Sequence, residues 1–154
     1  MKGNLLHSPR HRLATGRMEP LAEILFYDGH CGLCHRSVQF VLRHERDGTA
    51  FRFAPMQGPT FGAMVPAASR KGLPDSMVVL TLEGRLLLKS DAWLHIMWRI
   101  GGVWKLVGGV CHVFPRVLRD WAYDLVAAVR FHLFGRRNSL CPVIPPALRT
   151  RFLP

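Results

Sequence analysis

The chain predicts an α/β domain, a mixed sheet flanked by helices with further helices added toward the C-terminus. Three observations carry that expectation. A short apolar run, ILFY at residues 24–27, gives way at Asp28 and Gly29 to a stretch of helical periodicity, which is followed by the alternating FRFA at residues 51–54. Two further apolar runs, MVVLTL and RLLLK, are parted by Glu83 and Gly84 in the manner of a hairpin. Beyond residue 90 the apolar residues return mainly at helical spacing, with no internal repeat.

Each element follows from its residues. The run 24–27 is continuous rather than alternating and ends on an Asp-Gly turn signal, so it reads as a buried strand. Cys34, Val38, Val41, Leu42 and Glu45 fall at helical spacing, Arg36, Arg43 and Arg46 lie toward solvent, and Asp47-Gly48 stops the pattern. Pro55 opens a Gly-, Pro- and Ala-rich segment with one short helix expected over residues 61–68. Ser90 is a candidate N-cap for a helix burying Trp93, Met97 and Ile100. Over residues 116–133, Arg116, Arg119, Asp120, Asp124 and Arg130 gather on one side of a helical wheel. Leu118, Trp121, Leu125 and Val129 gather on the other, which needs an apolar surface to pack on. The tail from Phe134 onward is Pro-rich and reads as irregular. Strand, helix, strand gives a parallel pair and the hairpin adds antiparallel strands, which is the layout of a thioredoxin-like domain.

Composition narrows the function classes. With 154 residues and 49% apolar content the chain is long enough to bury a core as one domain over residues 22–154, preceded by a basic, weakly ordered extension over 1–21. The 21 Lys and Arg against 10 Asp and Glu give a formal net charge of +11. The excess is spread along the chain instead of forming a stripe, which argues against a nucleic-acid partner. The first twenty residues hold no continuous apolar stretch of secretory length. A reducing compartment, the cytoplasm, is therefore expected, and there a C-x-x-C is catalytic or metal-binding more often than structural. The apolar stretch 96–114 carries Arg99, Lys105 and two glycine pairs, so packing within the domain is expected over membrane association.

The motif that asks for a function is CGLCH, Cys31 to His35. A c-type haem needs an exported chain, and the preceding strand ties these cysteines to a sheet edge, so His35 reads as a surface residue one step into a helix. Structural zinc needs four ligands, usually with a second close pair. Cys111 and Cys141 stand alone, and no metal is expected, although a metal- or partner-binding module using the cysteines as ligands is the alternative reading. Redox chemistry has the most physical support. A cysteine just before a helix faces unpaired N–H groups and the positive end of the helix dipole, which favours the thiolate. Cys31, on an exposed rim, would attack a disulfide, and Cys34, shielded inside the helix, would resolve the mixed disulfide. The dithiol is itself the redox group, so no separate cofactor is expected, and the partner is a disulfide-containing protein or a small thiol.

Asp28, Gly29, Cys31 and Cys34, entered from a short apolar strand, resemble the DCC family of predicted thiol-disulfide oxidoreductases, named for that aspartate and cysteine pair. The likeness extends to Ser90, Asp91 and Ala92 and to Arg130 and Gly135 with Cys141 beyond, over roughly residues 22–153. It implies a thioredoxin-like fold and a redox role. Thioredoxins also set a proline against the active cysteines ahead of the hairpin. Counting back from Gly84 places Ser76 there instead, with Pro74 two residues earlier, so Ser76 is the candidate substrate-gripping residue. Asp28 either accepts a proton during exchange or caps its own turn. Gly29 supports that turn. His30 either stabilises the thiolate as a cation or is an exposed loop residue. Cys111 reads as a small core hydrophobe, Cys141 as either a third exchanging thiol or a structural residue, and Trp93, Trp98, Trp104 and Trp121 as core.

Overall fold

The computed structural model describes residues 22–46, 48–73, 77–136 and 145–154. Four strands form one sheet in the order β2-β1-β3-β4. β1 (Glu23–Tyr27) and β2 (Phe51–Pro55) pair in parallel, Leu25 opposite Phe53, and α1 (Gly32–His44) is the crossover that parallel pairing requires. β3 (Val78–Leu80) runs antiparallel to β1 and to β4 (Leu86–Leu88). All five residues of β1 are buried because the strand is central and covered on both faces, which explains why its apolar run is continuous. Leu25 and Tyr27 join Val38, Val41, Phe53 and Ile96 on one face. Ile24 and Phe26 join Phe61 and Val65 on the other.

The remaining elements refine or correct the expectations. The single helix expected over 61–68 is two, α2 (Pro59–Met64) and α3 (Ala67–Arg70), since Pro66 disfavours helical backbone at Val65. The hairpin turn holds three residues, not two: Thr81 N–H donates to Arg85 O at 2.9 Å, and Gly84 takes φ 78°. Leu88 stands at the N-cap position of α4 (Lys89–Ile100) without a side-chain cap, and the helix's core face is Ala92, Ile96 and Ile100, so Trp93 only borders the core. Ser90 is not the N-cap; its hydroxyl donates to Asp120.

Gly101 and Gly102, both at positive φ, end α4 and start α5 (Val103–Val113), which packs on α4. Gly108 is needed there because a Cβ would lie 2.9 Å from the Trp98 ring. α6 (Arg116–Phe134) packs on α4 and α1. Its orientation reverses the expected one. The charged seam faces the domain, where Asp120 meets Ser90, Asp124 meets Lys89 at 2.7 Å, and Arg119 meets Asp91 at 3.4 Å. Val117, Trp121 and Leu125 face outward. Trp121 and Trp98 are thus exposed rather than core.

The C-terminal end is more ordered than its proline content suggests. A 3-10 helix (Pro146–Arg151) returns the chain to β2, where Phe152 bridges Phe53 in parallel and stacks on its ring. Arg151 is buried, pairs with the buried Glu45, and donates to Phe51 O at 3.0 Å.

Candidate active site

The site forms where β1 ends. A tight turn follows Tyr27, with Cys31 N–H donating to Asp28 O at 3.2 Å. The Asp28 carboxylate stays inside this turn, its Oδ1 accepting from His30 N–H at 3.0 Å and from Gln57 Nε2 at 2.9 Å. Gln57 closes the loop by accepting Gly29 N–H at 3.0 Å. Of the two roles open to Asp28, this geometry displays the turn-capping one. Gly29 contributes both backbone groups, since its carbonyl accepts from His35 Nε2 at 2.7 Å. A carbonyl only accepts, so His35 carries its proton on Nε2. His35 is buried and sits edge-on to Tyr27, not on the surface as expected, and its Nε2 is engaged rather than presented as a haem ligand. His30 is exposed at the tip of the turn.

Cys31 is the N-cap of α1, and its sulfur accepts Cys34 N–H at 3.3 Å. This is the helix-mouth placement expected from the spacing. The Cys31 thiol is brought down to about 6, chiefly by hydrogen bonding from the Cys34 side chain and against the opposing effect of burial. The Cys34 backbone N–H and the Arg130 guanidinium lower it further, while the Asp28 charge raises it. Cys34 moves the opposite way, strongly upward, because it donates to Cys31, is buried, and lies beside the Cys31 and Asp28 charges. The two sulfurs therefore share one proton unequally: Cys31 ionises and Cys34 keeps its hydrogen.

One expectation about Cys31 is overturned. It does not sit on an exposed rim; it is fully buried. The end of α6 lies over it: Arg136 bridges Cys31 in antiparallel fashion, and Gly32 N–H donates to Gly135 O at 3.2 Å. Gly32 permits this approach, because a Cβ there would collide with the Phe134 carbonyl oxygen.

Arg130 joins the site from α6, a role its local sequence does not assign. It is buried, its Nη2 lies 3.9 Å from Asp28 Oδ2, and among the described residues its Nε has no hydrogen-bond partner. Its guanidinium offsets the Asp28 carboxylate, which would otherwise oppose ionisation of Cys31. The signal was available, since Arg130 lies on the charged side of α6 and within the segment that carries the family likeness. Gln57 gave no comparable signal. The Ser90, Asp91 and Ala92 segment proves to be where α6 is anchored: Ala92 is core, Ser90 meets Asp120, and Asp91 meets Arg116 and Arg119. A cavity of about 430 Å³ lies between α1, α4, α5 and α6, with Cys34, Arg130 and Cys111 in its wall, so Cys111 is partly buried at a cavity rather than a core residue as expected. Ser76 and Cys141 lie outside the described residues. Among the described residues, no three His, Cys, Asp or Glu side chains gather as a metal cage.

A mixed sheet with a cysteine pair capping its first crossover helix defines a thioredoxin-like α/β protein. Within that class the chain belongs to the DCC1-like thiol-disulfide oxidoreductase family, whose model matches residues 25–136. It is 31% identical over 135 residues to the uncharacterized protein YuxK of Bacillus subtilis, covering 85% of this chain and 93% of that one. It is 33% identical over 116 residues to a chloroplastic DCC family protein of Arabidopsis thaliana, covering 75% and 67% respectively. No solved structure matches it.

Proposed function

We propose that the protein exchanges a Cys31–Cys34 dithiol with disulfides of proteins or small thiols. The observation that carries this reading is the placement of Cys31 at the N-cap of α1, its sulfur accepting the Cys34 N–H at 3.3 Å, which favours ionisation of Cys31 over Cys34. The Cys31 thiolate attacks one sulfur of a substrate disulfide, forming a mixed disulfide and expelling the other sulfur as a thiolate that takes a proton. Covalent capture removes the Cys31 charge and its demand for the Cys34 proton, both of which hold Cys34 protonated. Cys34 then loses its proton, attacks the Cys31 sulfur and releases the second substrate thiol. Two electrons pass to the substrate, and the protein is left with an internal disulfide; the reverse sequence oxidises a dithiol. A reducing compartment such as the cytoplasm would return the pair to the dithiol. Asp28 and Gly29 hold the loop, and Arg130 keeps the Asp28 charge from suppressing the thiolate. Because Cys31 is covered by Gly135 and Arg136, substrate entry requires that end of α6 to move aside.

Equilibration with reduced and oxidised glutathione tests this. Wild type should lose two alkylatable thiols reversibly, and Cys34→Ser should hold glutathione on Cys31 as a stable mixed disulfide. Two thiols that stay alkylatable at every glutathione ratio, with no adduct on Cys34→Ser, would contradict it.

A further inference from the structure

We infer that the outward surface of α5 and α6 is a docking face for an anionic lipid bilayer, on which the two helices lie without crossing it. The strongest anomaly in the molecule is there. On α5, Val103, Leu106, Val110 and Val113 are exposed, Val113 by 82%. Past the turn at Phe114, itself half-exposed, the surface continues along α6 through Val117, Trp121, Leu125 and Leu133, with Val117 at 83%. Monomeric proteins in water rarely leave apolar residues exposed in such a series.

The orientation is held in place. α6 is anchored by its polar seam, Asp120 to Ser90, Asp124 to Lys89, Arg119 to Asp91 and the buried Arg130 toward Asp28. Rotating the helix to bury Trp121 and Leu125 would break all four and leave the buried Asp28 and the partly buried Asp91 without their α6 cations, so its apolar side is committed to the outside.

Charge selects the occupant. The exposed cations of residues 101–136 are Lys105, Arg116 and Arg136, with Arg116 shared between Asp91 and Asp120, and the two carboxylates of that stretch, Asp120 and Asp124, are engaged by the first turn of α4. α5 has no acidic residue, and the exposed Lys105 can extend past its apolar neighbours to a headgroup. An apolar face with Trp and Phe and a basic margin is the pattern of a helix lying in a membrane interface. A second copy would bring like charge against like, in a chain with a formal net charge of +11. Crossing is ruled out by size for α5, whose 11 residues span about 16 Å of a hydrocarbon layer about 30 Å thick. Among the described residues no helix is long and apolar enough to span.

Flotation of the full chain with phosphatidylglycerol-rich vesicles and with phosphatidylcholine vesicles tests this, beside Val113→Glu and Trp121→Glu. The wild type should bind the anionic vesicles about tenfold or more better than the neutral ones, with the difference shrinking as salt rises. Each variant should lose most of that binding with unchanged circular dichroism, since both side chains are exposed. Trp121 fluorescence, isolated as the difference from Trp121→Phe, should shift to the blue on vesicle addition. Cys31→Ser should bind like wild type, which keeps this result separate from the redox reading. A wild type that stays unbound by both vesicle types overturns the inference, and so does a dimer that buries Trp121 and dissociates in Val113→Glu.

Discussion

The crossover at residues 23–55 and the helix α6 solve opposite problems with the same residue types. In the crossover, apolar side chains go inward: Leu25, Val38, Val41 and Phe53 meet on one face of the sheet, and the charges of α1 such as Arg36 stay outside. In α6 the charges go inward, to Ser90, Lys89, Asp91 and Asp28, and the apolar residues go out. The difference teaches that amphipathic periodicity identifies a helix without saying which side it buries. In α6 the polar side is the useful one, because it delivers Arg130 to the cysteine loop and sets Gly135 over Gly32.

Breaking each region should separate their contributions. The largest effect is expected at the edge of the crossover. Arg151→Ala leaves Glu45 buried without its cation and should lower stability by about 3–5 kcal/mol, measured by urea unfolding. Next is the junction of the two regions. Gly32→Ala places a methyl group against the Phe134 carbonyl, so it should destabilise by about 1–3 kcal/mol and, by displacing the cover, speed alkylation of Cys31. The smallest effect belongs to the exposed rim of α6, where Lys89→Met removes the ion pair to Asp124 and should change stability by less than about 1 kcal/mol.

Protonation sharpens the same contrast. Cys31 ionises more easily folded than unfolded, so its contribution to the stability of the dithiol form is present above the unfolded thiol range and is lost as pH falls through about 6. Cys34 is pushed upward, so above the ordinary thiol range, near 8.5, its contribution reverses the trend. Stability of the dithiol form should therefore rise with pH from about 6, level off near the ordinary thiol range and then fall, as read from unfolding midpoints across that span.

The parts legible in the sequence are those fixed by local pattern. The ILFY run, the helical spacing from Cys34 and the hairpin runs placed the parallel pair, the antiparallel strands and the cysteines at a strand-to-helix junction, all found. What escaped depends on partners far along the chain. Gly32 looks like any residue between two cysteines until Phe134 lies over it, and His35 looks exposed until Gly29 and Tyr27 surround it. Arg130 looks like surface charge until the fold brings Asp28 to it. The Pro-rich tail hid a buried cation because the partner of Arg151 lies 106 residues earlier.

The most direct test of the central claim is the ultraviolet absorbance of the thiolate against pH, taken as wild type minus Cys31→Ser and repeated in Arg130→Met. The wild type should titrate near 6, and Arg130→Met should titrate higher because Asp28 then acts on the sulfur unopposed. A Cys31 that ionises only in the range of a free thiol would contradict the account.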